Sequence, residues 1–393
     1  MIKSHPMKHI LFICSSHGFE DGRVSQKEAV TLVKLGYKVS LVAQKSKWSY
    51  DDPVRMIDVD TGETVSDWRS IGVLPRSTRW QRIGRLSRIF RICRREKPDL
   101  IVAHEFETAV VARMFHLFSG TPFVFDVHEC FEEKVLESFP KIVHPLVSRV
   151  FDLICHSVVK ASAGITGVSP ASAILQYAKQ IGRPNCILHN SPVLDFFPYR
   201  IEEQSPILLI HEGWLTVERG AIPMVEALAL LKKKHDFRLL LIGKISEEIE
   251  SEFWGKVAER GLEDNIKTAG FLPWRDIGKV ESEGQIGLIC SQPFPNHMKS
   301  LANKLYNYMA CGLAILGMKG SATEMIVNDA QSGICVDTTK PEEIAKGLCW
   351  LIEHPEERRR MAQNGRKAIE TKYGWHCMAR RMEEFYGAIL PKA

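Results

Sequence analysis

Short, uninterrupted apolar runs recur along the chain, and stretches of helical periodicity separate them. Ile10–Cys14 is the first run, and it opens into the polar loop Ser15–Gly22. From Val24 to Leu35 the apolar residues Val24, Ala29, Leu32 and Val33 fall at helical spacing, and Gly36 stops the pattern. Val39–Ala43 is the next run, so strand, loop, helix and strand follow one another as a βαβ unit, which requires a parallel sheet with right-handed crossovers. Leu100–Ala103, Phe123–Phe125, Gly164–Ser169 and Cys186–Asn190 continue the strands, with a helix over Pro145–Lys160; residues 44–75 are mixed.

The alternation restarts at Ile207–Ile210. Helices are expected over Ile222–Lys232, Ser251–Arg260, Glu342–Glu353 and Pro355–Lys372, and strands over Arg238–Gly243, Ile286–Cys290 and Ser332–Val336. Asn303–Cys311 reads as a short helix stopped by Gly312, because glycine takes the positive φ of a C-cap without strain, and a buried strand follows to Gly317. The 393-residue length exceeds one ordinary core. The expected fold class is therefore α/β with two doubly wound Rossmann-like domains, 1–190 and 191–374, and an amphipathic closing segment at 375–393.

Composition narrows this only a little: 45% hydrophobic and 25% charged residues are those of a globular chain. The 10 cysteines are scattered without a Cys-x-x-Cys pair, as core residues of a reducing compartment rather than a disulfide frame or zinc site. The N-terminal stretch has no long apolar core with a cleavage site, and no apolar run approaches the roughly 20 residues of a spanning helix. A cytoplasmic location is expected. The net charge of +5 is unevenly spread, with arginines at 76, 79, 82, 85, 88, 91, 94 and 95. On a helical wheel over Arg76–Lys97, Ile83, Leu86, Ile89, Phe90 and Cys93 share one face while Arg85, Arg88, Arg91 and Arg95 lie opposite. Such a helix suits an anionic membrane surface, which would make the protein peripheral on the inner membrane face; it equally suits packing on the sheet with solvated arginines. No nucleic-acid motif accompanies it.

Three strands run into His-Glu pairs: His104-Glu105, His128-Glu129 and His211-Glu212. The carboxyl ends of parallel strands line the ligand crevice. A metal site is a weak reading here, because pairs this far apart in sequence meet only through folding. The loop with Gly18 and Gly22 lies at such a strand end but lacks the dinucleotide G-x-G-x-x-G spacing. Lys304, in the first turn of its helix, adds a cation to the positive end of the helix dipole and makes a candidate diphosphate seat. Gly213 allows close backbone approach to a ligand, and Arg219 precedes another helix start.

The run Asn303–Gly312 resembles the donor-binding motif of the retaining glycosyltransferases of the GT4 family, Lys-Leu-Phe-Glu-Tyr-Met-Ala-x-Gly. That resemblance implies a GT-B architecture with the two domains facing across a cleft, donor in the second and acceptor largely in the first, and the chain end returning to the first. It implies that Arg219 and Lys304 grip the donor diphosphate and that Gly213 lies beside it. Phe271, in a Gly-x-x-Pro segment, would flank the base, and Pro295, Asn296 and His297 would touch the sugar hydroxyls. The Asp-x-Arg-Val opening gives Arg23, and Asp126-Val-His-Glu129 gives Asp126, Glu129 and a sugar-facing His128. Asn303 opens the motif helix, and Asn307 stands where the family has the ribose-binding Glu; the partner acid's place holds Lys299. The implied activity is metal-independent transfer of a sugar, with retention, from a nucleotide-diphosphate sugar to a glycan or lipid-linked acceptor, with no cofactor. Surface polysaccharide, lipopolysaccharide or glycolipid synthesis is the expected setting. The lost carboxylates leave open a non-catalytic nucleotide-sugar-binding scaffold, and the architecture leaves open a nucleotide-sugar epimerase.

Overall fold

The computed structural model describes residues 7–19, 21–45, 54–65, 79–127, 135, 140–170 and 172–390. His128 and Glu129 lie outside the described residues, as do Arg76 and the side chains of Arg79, Arg82 and Ile83. The chain divides into two compact units, Met1–Leu188 with Ala379–Ala393, and His189–Met378.

In the first unit the strands are β1 (His9–Gly18), β2 (Lys38–Gln44), β3 (Arg55–Asp58), β4 (Leu100–Ala103), β5 (Phe123–Val127), β6 (Gly164–Gly167) and β7 (Asn185–Ile187). They form one sheet in the order β3-β2-β1-β4-β5-β6-β7, every pair parallel. Helices cover both faces of such a sheet, so Ile10–Cys14 is fully buried without alternation. The crossover after β1 is a π-helical stretch, Val24–Ala29, continued by α1 (Val30–Lys34). Then come α2 (Arg79–Glu96), α3 (Phe106–Ser119), α4 (His144–Ala161) and α5 (Ala173–Gln180). Ser15–Gly18, expected in a loop, extends β1, because Glu105 at the start of α3 accepts from the Ser15 and Ser16 N–H groups at 3.0 Å each.

Among the described side chains, the arginines of α2 divide: Arg91, Arg94 and Arg95 are exposed, while Arg85 is not. Arg85 is buried: its Nε and Nη2 donate to the two carboxylate oxygens of Asp60 at 2.6 Å, and Nη1 donates to the Ser15 carbonyl at 2.7 Å. Arg88 and Arg95 donate to the carbonyls of Val59 and Gly62. Ile89, Ile92 and Cys93 on the other face sit in the core, so α2 is a sheet-packing helix. By contrast, the continuous helical segment Lys141–Ala161 is long and apolar enough to span a bilayer by length and composition, against the expectation that no run reaches that size. Its inner residues Phe151, Cys155, Val158 and Val159 belong to the core of this unit, whereas Ile142, Leu146, Val150 and Leu153 are exposed.

The second unit holds β8 (Ile207–Glu212), β9 (Phe237–Ile242), β10 (Ile266–Gly270), β11 (Ile286–Leu288), β12 (Ala314–Met318) and β13 (Gly333–Val336), ordered β10-β9-β8-β11-β12-β13 and again parallel throughout. Its helices are α6 (Ala221–Lys232), α7 (Glu247–Glu259), α8 (Trp274–Glu281), α9 (Pro295–Lys299), α10 (Asn303–Cys311), α11 (Ala322–Ala330), α12 (Pro341–Glu353) and α13 (Pro355–Ala368). A closing helix, α14 (Trp375–Ile389), begins in the second unit and ends in the first. In both units the order reverses beside the central strand, so the carboxyl ends of β1 and β8 stand at topological switch points, where open α/β sheets bind ligands.

Candidate functional site

The switch point of the second unit gathers the predicted donor residues. β8 ends in His211 and Glu212, and Gly213 follows with φ +95°. A β-carbon at Gly213 would lie 3.3 Å from the Arg219 guanidinium and 3.8 Å from the Lys304 ammonium, so the bare glycine keeps open the space both cations face. Gly220, the N-cap of α6, has φ +78°, and a β-carbon there would collide with the Cys290 carbonyl at 2.0 Å. That close approach fixes the loop carrying Arg219. Lys304 enters from the first turn of α10, which is buried along its whole length after Asn303.

Neither cation is within ion-pair distance of a carboxylate among the described residues; Arg219 Nη1 donates to the Trp214 carbonyl at 3.0 Å. Burial, reinforced by Arg219, pushes the Lys304 ammonium down to about 8. Burial also lowers the Arg219 pKa. Beneath them the imidazole of His211 is buried with no partner on either nitrogen, and burial together with the two cations holds its pKa well below the ordinary value. A pocket in which burial disfavours the charge of two cations that make no ion pair among the described residues is preorganised for a dianion such as a diphosphate.

Around this seat stand further predicted residues. Phe271 is 75% exposed at the end of β10. Pro295, Asn296 and His297 lie on the short helix α9 rather than in a loop; the proline at its first position starts the helix. His297 Nε2 is 4.0 Å from Glu218, next to Arg219. Asn303 is exposed at the head of α10. Asn307 is not free to reach a ligand in the way its family counterpart does: it is buried, and its Nδ2 donates to Glu212 Oε2 at 3.0 Å. Burial and, after it, the nearby Glu212 carboxylate raise the Glu281 pKa well above the ordinary carboxylate value. The Glu212 N–H also donates to the Tyr308 hydroxyl at 2.7 Å. Glu212 is visible in the sequence only as half of a His-Glu pair, and its place beside Asn307 depends on the fold.

In the first unit, Arg23 and Asp126 meet, but with each other. Arg23 Nη2 is 2.8 Å from both Asp126 Oδ1 and Glu28 Oε1, and Nη1 donates to the Leu188 carbonyl at 2.7 Å. Thr166 donates to the same Asp126 oxygen at 2.7 Å, and His104 Nδ1 is 3.3 Å from the other. Both Arg23 and Asp126 are buried, so they brace the strand ends and do not offer their charges to a ligand. Glu28, His104 and Asp126 are close enough to hold a metal ion, but the Arg23 guanidinium already lies against both carboxylates. Gly18 ends β1 opposite Gln44.

Two parallel doubly wound units with a cationic seat at a strand switch point define a GT-B fold. The chain belongs to the group 1, GT4-like glycosyltransferases: the model for glycosyl transferases group 1 matches residues 195–368, and that for the glycosyl transferase 4-like domain matches residues 22–188. It is 30% identical over 186 residues to a GDP-mannose-dependent alpha-(1-6)-phosphatidylinositol dimannoside mannosyltransferase of Mycobacterium tuberculosis, covering 47% of this chain and 44% of the relative. It is 24% identical over 181 residues to an amylovoran biosynthesis glycosyltransferase of Erwinia amylovora, covering 46% and 44%. The chain thus spans less than half the length of these curated relatives. Among solved structures, HepE of Anabaena in complex with UDP superposes with a TM-score of 0.69 at 14% identity, covering 97% of this chain and 100% of that one.

Proposed function

We propose that the protein transfers a sugar from a nucleotide-diphosphate sugar to a glycan or lipid-linked acceptor, with retention and without a metal ion. The observation that carries this reading is the pair of unpaired cations, Arg219 and Lys304, flanking Gly213. As the bond between the sugar's anomeric carbon and the phosphate oxygen breaks, negative charge grows on the leaving diphosphate. Fixed cations and the α10 N-terminus stabilise that charge more in the transition state than in the ground state. A phosphate oxygen of the leaving group takes the acceptor's hydroxyl proton from the same face, which yields retention and requires no protein base. In this reading Phe271 flanks the base and His297 reaches the sugar; the role that the resemblance implies for His128 falls outside the described residues.

A lipid-linked acceptor agrees with the exposed apolar ridge of α4, where Ile142, Leu146, Val150 and Leu153 follow helical spacing beside Lys141, Arg149 and Lys160. This ridge, rather than α2, is the surface for an anionic membrane.

The test is a panel of nucleotide sugars, followed by thermal stabilisation and by release of free nucleotide with and without acceptor glycolipids, in the presence of EDTA. One donor that stabilises the protein and releases nucleotide faster with acceptor supports the reading. Donor conversion without acceptor points to an epimerase, and binding without turnover to a scaffold. Vesicles of phosphatidylglycerol test the ridge: Leu146→Ser with Leu153→Ser abolishes binding if α4 is the contact.

A further inference from the structure

The donor motif of this chain lacks a carboxylate at position 307, and the fold supplies one from another element. Glu212, the last residue of β8, places its carboxylate one hydrogen bond from the position 307 side chain, with Asn307 Nδ2 3.0 Å from Glu212 Oε2. Of the two side chains, Asn307 is the buried one; Glu212 is only partly covered and so is the group that meets an incoming ligand. Glu212 immediately precedes Gly213, whose β-carbon position is 3.3 Å from the Arg219 guanidinium and 3.8 Å from the Lys304 ammonium, which places Glu212 at the edge of the diphosphate seat.

Its backbone is fixed from a further side. The N–H of Glu212 donates to the buried Tyr308 hydroxyl at 2.7 Å. Asn307 thus donates to one oxygen of the carboxylate, which holds the acceptor in place and leaves its remaining lone pairs for outside hydroxyls. A nucleoside diphosphate carries one vicinal diol beside its diphosphate, that of the ribose; the hydroxyls of the transferred sugar are absent from it.

Resting on the donor reading above, we infer that Glu212 is the ribose-binding carboxylate of this protein and that Asn307 is its positioning residue. Glu212 accepts from the ribose hydroxyls, and discrimination between ribonucleotide and deoxyribonucleotide resides in it.

The experiment is titration calorimetry of the full chain with UDP and GDP, their 2′-deoxy counterparts and inorganic pyrophosphate. The protein variants are wild type, Glu212→Ala, Glu212→Gln and Asn307→Ala, each checked for cooperative unfolding. Wild type is expected to bind one ribonucleoside diphosphate at least about tenfold more tightly than its 2′-deoxy form, in keeping with the loss of one hydrogen bond to a charged group. Glu212→Ala is expected to remove that preference while pyrophosphate binds as tightly or more tightly, because a negative charge has left the seat. Glu212→Gln retains an acceptor and falls between, and Asn307→Ala reduces the preference by loosening Glu212. A ribose preference that survives in folded Glu212→Ala and Glu212→Gln overturns the assignment while leaving the donor reading intact. Failure of wild type to bind any nucleoside diphosphate overturns both.

Discussion

Each unit carries a charged cluster at the carboxyl end of its central strand, and the two clusters are built in opposite ways. In the first, one guanidinium is enclosed by two carboxylates: Arg23 touches Glu28 and Asp126, and every member is buried. In the second, two cations face one open space without an ion pair, and the nearest carboxylate, Glu212, is engaged by Asn307. The same topological position therefore serves as a brace in one unit and a seat in the other. What separates them is the balance of charge. A buried cation already held by two acid side chains has no capacity left for an anion, whereas two cations without an ion pair are destabilised until an anion arrives.

The largest expected effect follows from the brace. Arg23→Ala leaves Glu28 and Asp126 buried without their cation, a loss of about 3–5 kcal/mol, and urea denaturation measures it. Burial already pushes Glu28 up to about 8, with Asp126 adding to the effect and Arg23 opposing it, so removing the guanidinium raises Glu28 further. A variant as stable as wild type would show that Arg23 is available to a ligand after all.

The seat responds in the opposite sense. Lys304→Met removes a buried, unpaired ammonium, and the ligand-free protein is expected to be as stable as wild type or more so at pH 7. Donor affinity in the same variant falls about a hundredfold, the loss of a charge-assisted contact of about 2–3 kcal/mol. Thermal unfolding with and without the nucleotide sugar reads both quantities. Equal losses of stability and affinity would make Lys304 a second brace and erase the contrast between the units.

How much of this was legible in the sequence also differs between the units. The strands were, because all-parallel sheets bury both faces and leave uninterrupted apolar runs such as Ile10–Cys14. The seat was legible only through the family resemblance, since Arg219 and Lys304 taken alone read as surface charges and periodicity places their helix starts without pairing them. The role of Glu212 was not, because a strand-end glutamate meets Asn307, 95 positions further along the chain, only after folding. Nor was α2 legible: a helical wheel places Arg85 beside Arg91, but the Asp60 carboxylate and the Ser15 carbonyl lie on other elements. Arg85→Ala is accordingly expected to lower stability by about 2 kcal/mol, and Arg91→Ala by no more than about 0.5 kcal/mol. Similar small losses in both would return α2 to a solvated stripe.

The finest distinction is in pH dependence. The Lys304 ammonium titrates near 8 in the ligand-free fold, against 10.5 ordinarily, because burial and Arg219 disfavour its charge. Between those values the unfolded chain holds a proton that the folded chain has released, so stability from this group rises with pH over roughly 8 to 10.5. Donor binding runs the other way, since the diphosphate needs the charged ammonium: affinity is flat below about 8 and falls by up to about tenfold per pH unit above it. The brace has the reverse stability profile, because Glu28 is raised from 4.5 to about 8 and the folded chain holds the extra proton in that interval, so its contribution declines as pH rises through it. Calorimetric titration of the donor from pH 6.5 to 9.5, beside unfolding of wild type and Lys304→Met over the same range, separates the two. If the decline in affinity above about 8 persists in Lys304→Met, the titrating group belongs elsewhere and the seat depends on Arg219 alone.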